Sequence, residues 1–399
     1  MAADSEDPDG PLERSQSGSM SAEVGQTFDA GSGRIFPCEG CGSDLEFHIG
    51  QQKLSCRFCG FVKEIELSKD MVLEEQDFEA MLARLLEWRT KPTAKSVRER
   101  QEETNGLREL RCGSCGGNVE FVGTLTSTHC PYCGSSVQLE KTHKCEANRI
   151  PVDGVLPFHV KRRHAEQNLT RWVNSRWFAP NSFRRQGAEG KFNGVYLSYY
   201  TFDSMTFTAY SGQRGDHYYV RTGWGTNKRY RRKTRWRPAN GQFQRFFDDV
   251  LVLANTGFRR DFMLELEPWP LNQVVPFNQQ MLAGYLARTY DVELAACFRE
   301  GKERIDAMVL QEVKERIGGD TQRIDSVDSR YEAITFKHLL LPVWLLAYPF
   351  GDKSYQVFIN AATGEVQGER PWSAVKIAFA VLSGLLLLGI GWTLLGHRL

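Results

Sequence analysis

The sequence lacks the short motifs that announce nucleotide or acyl chemistry. It has no G-x-x-x-x-G-K-[ST] loop, no G-x-G-x-x-G opening a helix, no G-x-S-x-G and no H-E-x-x-H. Their absence removes P-loop ATPases, dinucleotide enzymes, α/β-hydrolases and zincin proteases from the candidates. Histidine is sparse, eight residues in 399. His159 and His164 are five apart, a poor fit to one helical face, and His129 abuts a cysteine motif that already has four sulfurs. Cys297 has no histidine near it in sequence and reads as a small buried residue. Cys145, two positions after His143, reads as a linker thiol. No catalytic constellation results, and the expectation is a protein that is not an enzyme.

Net charge is missing too: 50 Lys and Arg stand against 49 Asp and Glu. The chain as a whole is therefore no polyelectrolyte, and any electrostatic role must be local. Nothing resembling a secretory leader opens it. Residues 1–33 carry seven acidic side chains against Arg14 alone and have the composition of a disordered acidic tail. Long apolar runs are absent with one exception. From Ile377 to Leu395 no residue is charged, and 19 residues of helix reach roughly 28 Å, the depth of a bilayer core. Lys376 precedes the run and His397-Arg398 follow it. Trp372 and Trp392 sit at interfacial positions, with Ser373 placed to cap the start. Residues 374–396 thus read as a single transmembrane helix.

What is present is a doubled cysteine pattern. Cys38/Cys41 and Cys56/Cys59 are Cys-x-x-Cys-Gly knuckles separated by fourteen residues, and Cys112/Cys115 and Cys130/Cys133 repeat the same spacing. Each knuckle is followed by glycine (42, 60, 116, 134), which suits a turn that points backbone amides at a sulfur. The spacing predicts two structural zinc ions, one in each of two ribbons, held by four thiolates. Iron in a rubredoxin-like site is the chemical rival, and disulfides or free thiols are the bland one. The repeat extends past cysteine: Asp44-Leu-Glu-Phe47 matches Asn118-Val-Glu-Phe121, a period of seventy-four residues. With both zincs fully coordinated by protein, neither has the open position catalysis requires.

The organisation that follows is an acidic tail (1–33), zinc ribbon 1 (34–68), an amphipathic helix and linker (69–108), zinc ribbon 2 (109–145), a mixed α+β body (146–372) and the membrane helix (374–396). Phe78, Met81, Leu82, Leu85 and Leu86 recur at helical spacing in the linker. In the body, a helix over 161–178 is expected, then strands at 195–202, 205–210, 217–221 and 246–254. A helical stretch over 278–317, with a break near Tyr290-Asp291, and strands at 339–348, 354–360 and 364–367 follow. Helix then hairpin occurs twice, each opening on Val-aromatic-Leu (Val195 and Val343), which suggests a duplicated unit.

Charge is concentrated in residues 161–260, with twenty Lys/Arg against six Asp/Glu. The densest strip is Lys228, Arg229, Tyr230, Arg231, Arg232, Lys233, Thr234, Arg235, Trp236, Arg237. Tyr230 and Trp236 interleaved with guanidinium groups suit base stacking beside phosphate binding. The same strip on a tethered protein suits anionic lipid headgroups. A solvated face, or a partner within the chain, is the bland alternative.

The paired ribbons, Leu156-Pro-Phe158, Gly194-Val-Tyr-Leu, Leu282-Ala-Gly-Tyr, Leu341-Pro-Val-Trp and the stretch Thr363-Gly-Glu-Val-Gln-Gly-Glu-Arg-Pro371 resemble a bacterial family. Its members are double zinc-ribbon proteins with a C-terminal membrane segment, labelled "TFIIB-type zinc ribbon" or "primosomal protein N′ (replication factor Y)-like helicase". The helicase label does not carry over, because the ATPase motifs are absent. Relatives encoded beside phage-shock-protein-A-like and SPFH membrane proteins imply an adaptor role. Thiolate metal sites favour a reducing compartment. The expectation is a single-pass, tail-anchored protein of the inner (cytoplasmic) membrane, with its bulk in the cytoplasm and with protein partners and the lipid bilayer as its contacts. The alternative is a membrane-anchored nucleic-acid-binding protein that uses the ribbons and the basic strip.

Overall fold

Three strands of unusual length organise the molecule. The computed structural model describes residues 38–43, 45–49, 53–65, 73–90, 107–111, 118–122, 127–129, 136–138, 150–182, 191–223, 229–350 and 353–396. In 107–138, and at 89–90, 191, 279, 347–350, 353–354 and 390–396, it describes the backbone alone. Strands β1 (Leu45–His48), β2 (Lys53–Cys56) and β3 (Val62–Glu64) form a small antiparallel sheet. Next come β4 (Gln76–Asp77) and helix α1 (Phe78–Thr90), the linker helix its apolar spacing implied. Strands β5 (Leu107–Arg111) and β6 (Asn118–Val122) pair, as do β7 (Ser127–His129) and β8 (Ser136–Gln138). Strands β2 and β3 begin at Lys53 and Val62, and β7 and β8 begin seventy-four residues later, so the sequence period is also a structural one.

The body is a nine-stranded sheet. Its short members are β4, β9 (Gly154–Val155), β12 (Val275–Pro276), β13 (Leu286–Ala287) and β16 (Val366–Gly368). Its long ones are β10 (Lys191–Thr222), β11 (Arg229–Leu253) and β14 (Thr321–Phe350), with β15 (Lys353–Asn360) beside the last. The order β11-β10-β14-β15-β16 is antiparallel between neighbours. Val195 lies directly opposite Val343. The two Val-aromatic-Leu segments thus face each other across the centre of the sheet, with the parallel strand β13 outside the first and β15 outside the second. A run of 32 residues of strand is on the order of 100 Å long. The distal halves of β10, β11 and β14 accordingly extend well beyond the body as a ribbon-like arm.

Three separate aromatic strands were expected where β10 is continuous. Asp203, which falls between the first two expected strands, sits at a bulge in the β10–β11 and β10–β14 registers. There its buried carboxylate accepts the Asp249 amide. Gly212 marks a second bulge, where a Cβ would lie 2.4 Å from the Arg323 carbonyl oxygen. Residues that resemble turn punctuation are here the means by which one strand absorbs irregularity and continues.

Helix α2 (Arg162–Ser175) buries Ala165, Leu169 and Val173 against the near end of the sheet. Helix α3 (Arg260–Glu265) packs Met263 on the opposite face, in the cluster of Leu197, Leu341 and Phe358. The expected helix over 278–317 is shorter. Residues Gln279–Leu282 are a 3-10 turn, and 283–293 hold only the short strand β13, the rest being loop stitched to the sheet by Arg288 N–H to Tyr196 O (2.8 Å) and Asp291 N–H to Ala254 O (3.0 Å). Helix α4 (Leu294–Ile317) then buries Cys297, Gly301, Ile305, Val309, Val313 and Ile317. That is an unbroken i+4 ridge, which winds slowly round the helix and so follows a twisted ribbon. Its far half packs on Phe247, Val250, Phe243, Tyr210 and Ile324 of the arm.

Helix α5 (Ala374–Gly396) leaves the body at one point. The Ser373 amide donates to Phe178 O at 2.8 Å, and Lys376 Nζ reaches Ala179 O and Asn181 Oδ1, both at 2.8 Å. Beyond that root the described apolar side chains are bare, from Val375 at 79 % exposure to Leu388 at 72 %. Among the described residues no helix is both long and apolar enough to cross a membrane. The side chains of α5 are described only as far as 389, so the expected span over 374–396 is covered in part. The fold is mixed α+β, mostly sheet in its body, with a four-cysteine group near the N-terminus.

Candidate metal centre

Two hairpin turns bring four sulfurs together. One precedes β1 and carries Cys38 and Cys41; the other links β2 to β3 and carries Cys56 and Cys59. Gly42 and Gly60 share φ = 75°, a left-handed conformation that a side chain resists. Each closes its turn the same way, Gly42 N–H donating to Cys38 O (2.8 Å) and Gly60 N–H to Cys56 O (3.1 Å). The β1–β2 register (Leu45 opposite Cys56) then carries the second turn to the first.

The four Sγ atoms lie within 4.8 Å of one another. Cys38 to Cys59 and Cys41 to Cys56 are each 3.5 Å. Sulfurs at the corners of a tetrahedron with metal–sulfur bonds of about 2.3 Å stand roughly 3.8 Å apart, so the donor set matches a tetrahedral thiolate site in number and spacing. These cysteines are free thiols, with no disulfide between them. Cys38 and Cys56 are buried, whereas Cys41 and Cys59 face out.

Hydrogen bonds favour thiolate. Ser43 Oγ lies 2.7 Å from Cys41 Sγ and 3.5 Å from Cys56 Sγ, and the Gly40 amide donates to Cys38 Sγ at 3.4 Å. The Ser43 hydroxyl, followed by the Cys59 amide, holds the Cys56 thiol down to about 6. At Cys59 the Phe61 amide pulls downward, but the Cys38 and Cys41 sulfurs outweigh it and push the thiol up to about 12. Four acids crowded into one site cannot all ionise without a cation among them. Ser43 was not singled out from sequence. The triplet Cys-Gly-Ser recurs at Cys112-Gly113-Ser114 and Cys133-Gly134-Ser135, but Gly117 stands seventy-four residues after Ser43, so the repeat did not mark it.

This ribbon is joined to the body. Leu45, Phe47 and Leu54 belong to the same buried cluster as Met281, Ala283 and Tyr285, and the Phe47 amide donates to Ala283 O at 3.1 Å. An Arg57–Glu46 ion pair (2.6 Å) lies at its surface. The second expected set, Cys112, Cys115, Cys130 and Cys133, lies outside the described residues. The described strands stop at Arg111 and His129 and resume at Asn118 and Ser136, bracketing both knuckles.

A second acidic group, Asp203, Asp248 and Asp249, meets metal-ligand distances. Lys337 already occupies it, with Nζ 2.9 Å from Asp249 and 3.6 Å from Asp203. Burial, with the Glu75 carboxylate nearby, raises Asp203 to about 6. An ammonium at its centre makes this an internal ion-pair network, not a cation site.

The basic strip lies on β11, apart from Lys228, which lies outside the described residues. Strand alternation sorts it. Arg229, Arg231, Lys233, Arg235 and Arg237 share a face with Thr222, Val220, Tyr218, Asp216 and Arg214, while Tyr230, Arg232, Thr234 and Trp236 share the other with Arg221, Tyr219 and His217. Tyr230 and Trp236 therefore point away from the main row of cations, and Arg323 covers Trp236, its guanidinium 4.1 Å from the ring. The exposed rings Tyr219 and Tyr230 thus stand with Arg221 and Arg232, while five of the strip's cations line the other face with Tyr218.

The chain is similar to a Bacillus subtilis (strain 168) protein described as "Uncharacterized protein YdjG": 25% identical over 362 residues, covering 88% of this chain and 93% of that protein. No family model matches the chain, and no solved structure matches it.

Proposed function

We propose that the protein is a membrane-tethered zinc-ribbon adaptor, with α5 in a bilayer and the body and ribbons presented to protein partners on the cytoplasmic side. The observation that carries this reading is the bare apolar helix. Val375, Phe379, Leu382, Leu385, Leu386, Leu387 and Leu388 are all exposed along the described part of α5, and the body holds only its root. Helices of that composition are stable where lipid covers them, and their backbone groups are satisfied internally. The exposed rings of Trp177 and Trp372 flank the root, at the depth where interfacial aromatics sit.

In this reading each ribbon holds one structural zinc. A ribbon has too few apolar residues to fold alone, so metal supplies its folding energy. The adaptor role rests on the absence of catalytic motifs, the resemblance described above and a long arm suited to spanning between partners. Fractionation tests the tether. The full chain is expected in the membrane pellet after carbonate washing, and a chain ending at Ser373 in the supernatant. Retention of the shortened chain in carbonate-washed membranes would remove the tether from α5.

A further inference from the structure

The far end of the arm changes character. Strand β14 begins at Thr321, opposite Gly215, so from Asp216 to Thr222 the arm is a two-stranded hairpin of β10 and β11 alone among the described residues. Helix α4 stops at the same level: Ile317 lies against Gly212, which is opposite Ala239. Beyond it, the face that α4 covered continues uncovered, and it is here that Arg237, Arg235, Lys233, Arg231 and Arg229 follow one another. Rungs two residues apart stand about 6.8 Å from each other, and the row is roughly 27 Å long. Arg221 and Arg232 project from the opposite face. Asp216 is the only acidic residue on the described hairpin, and Arg214 already holds it at 2.9 Å.

Self-association offers a simple explanation for charge on an edge strand, because cations and a proline block edge-to-edge pairing. Pro238 does stand on β11. One or two lysines achieve that, however, and five cations in register on one face with two more on the other exceed it. A lipid surface is the second candidate. It needs charge on one face only. The geometry also places α5 at the wrong end: its root contacts Ala179, which shares a buried cluster with Phe192. Phe192 and Thr222 are separated by on the order of 100 Å of strand. A single nucleic-acid strand asks for stacking platforms beside the cations. On the main cationic face the ring present is Tyr218, with the Arg235 guanidinium 5.4 Å above it.

A duplex groove asks for something different: a slim element with cations directed to both sides, where phosphates rise on either wall. A two-stranded β-ribbon has the width of the major groove. We propose that the distal hairpin, 214–222 with 229–237, is a duplex-binding ribbon that lies along a nucleic-acid groove and holds its phosphates without reading sequence. This goes beyond the adaptor reading and does not depend on the metal site.

The test uses the full chain in non-ionic detergent and a labelled mixed-sequence DNA duplex, with affinity measured against salt. The wild type is expected to bind, independently of sequence, with a steep salt slope. Replacing Arg229, Arg231, Lys233, Arg235 and Arg237 by Gln should make the slope shallower by about 4–5, since each phosphate contact contributes about 0.9. Replacing the four arginines of that row by Lys should leave binding largely intact, because point charges suffice for phosphate, and this variant controls for folding. An unchanged slope in the Gln variant, or equal loss in the Lys variant, would overturn the proposal. So would tighter binding, at matched charge, to single-stranded DNA, to poly-glutamate or to phosphatidylserine vesicles.

Discussion

His338 Nε2 and Ser198 Oγ stand 3.1 Å apart, the spacing of a base and a nucleophile, yet both residues are buried in the centre of the sheet. The ring is better understood as a buried strut. Nδ1 donates toward Pro151 O at 3.0 Å, tying the segment before β9 to β14. Burial lowers the His338 pKa from 6.5 to about 4, so the folded protein binds a proton there less readily than the unfolded chain does. The stability linked to this difference is complete above pH 6.5 and is lost as the pH falls toward 4. Its full size is about 3 kcal/mol. The melting temperature of wild type is expected to drop across that window, and His338→Gln should flatten the drop while lowering stability at neutral pH. Equal pH slopes in the two proteins would show that His338 is not the titrating strut. This role was not read from sequence, because it depends on neighbours far away in the chain.

At the scale of elements, the arm depends on α4. Its i+4 ridge is the main apolar cover for one face of β10, β11 and β14 beyond the body, through Ile305, Val309, Val313 and Ile317. Ile305 and Val309 are fully buried, so truncating either to Ala should cost about 2–4 kcal/mol through lost burial and a residual cavity. Hydrogen exchange should localise the effect: amides of α4 and of the arm strands near Phe243 and Phe247 lose protection, while those of β1–β3 keep theirs. Uniform loss everywhere would mean that arm and body unfold as one unit. The helix was legible here from its composition, and the break expected near Tyr290-Asp291 lies just before its start at Leu294, but the non-helical course of the stretch ahead of that break was not. The stretch before Leu294 has helical composition, and main-chain bonds to Tyr196 and Ala254 hold it as loop instead.

For the whole molecule, the joined core of ribbon and sheet has a consequence for metal. Phe47 and Leu54 pack with Met281 and Tyr285, so loosening the four-cysteine turn exposes part of the body's own core. The full chain is expected to carry two zinc ions by elemental analysis. Cys56→Ser should reduce that to one and also lower the melting temperature of the body, by an amount set by the shared cluster. Loss of both ions from this single change would show that the two cysteine sets are coupled. An unchanged body transition would show that the ribbon is an independent knob.

The sequence by itself determined the elements whose signals are local. Knuckle spacing with its glycines located the four sulfurs, apolar periodicity located α1 and α2, and the uncharged run from Ile377 located α5. These follow from constraints within a few turns of chain, so composition and spacing suffice. Only the tertiary structure decided that three aromatic runs are one strand, that Asp203 and Gly212 are bulges, and that the basic strip divides into two faces. Alternation alone cannot say where a strand ends, because ladder partners supply the hydrogen bonds that carry it past a glycine or an aspartate. Here those partners, β11 and β14, lie some tens to over a hundred residues away, and their pairing turned a list of cations into a row.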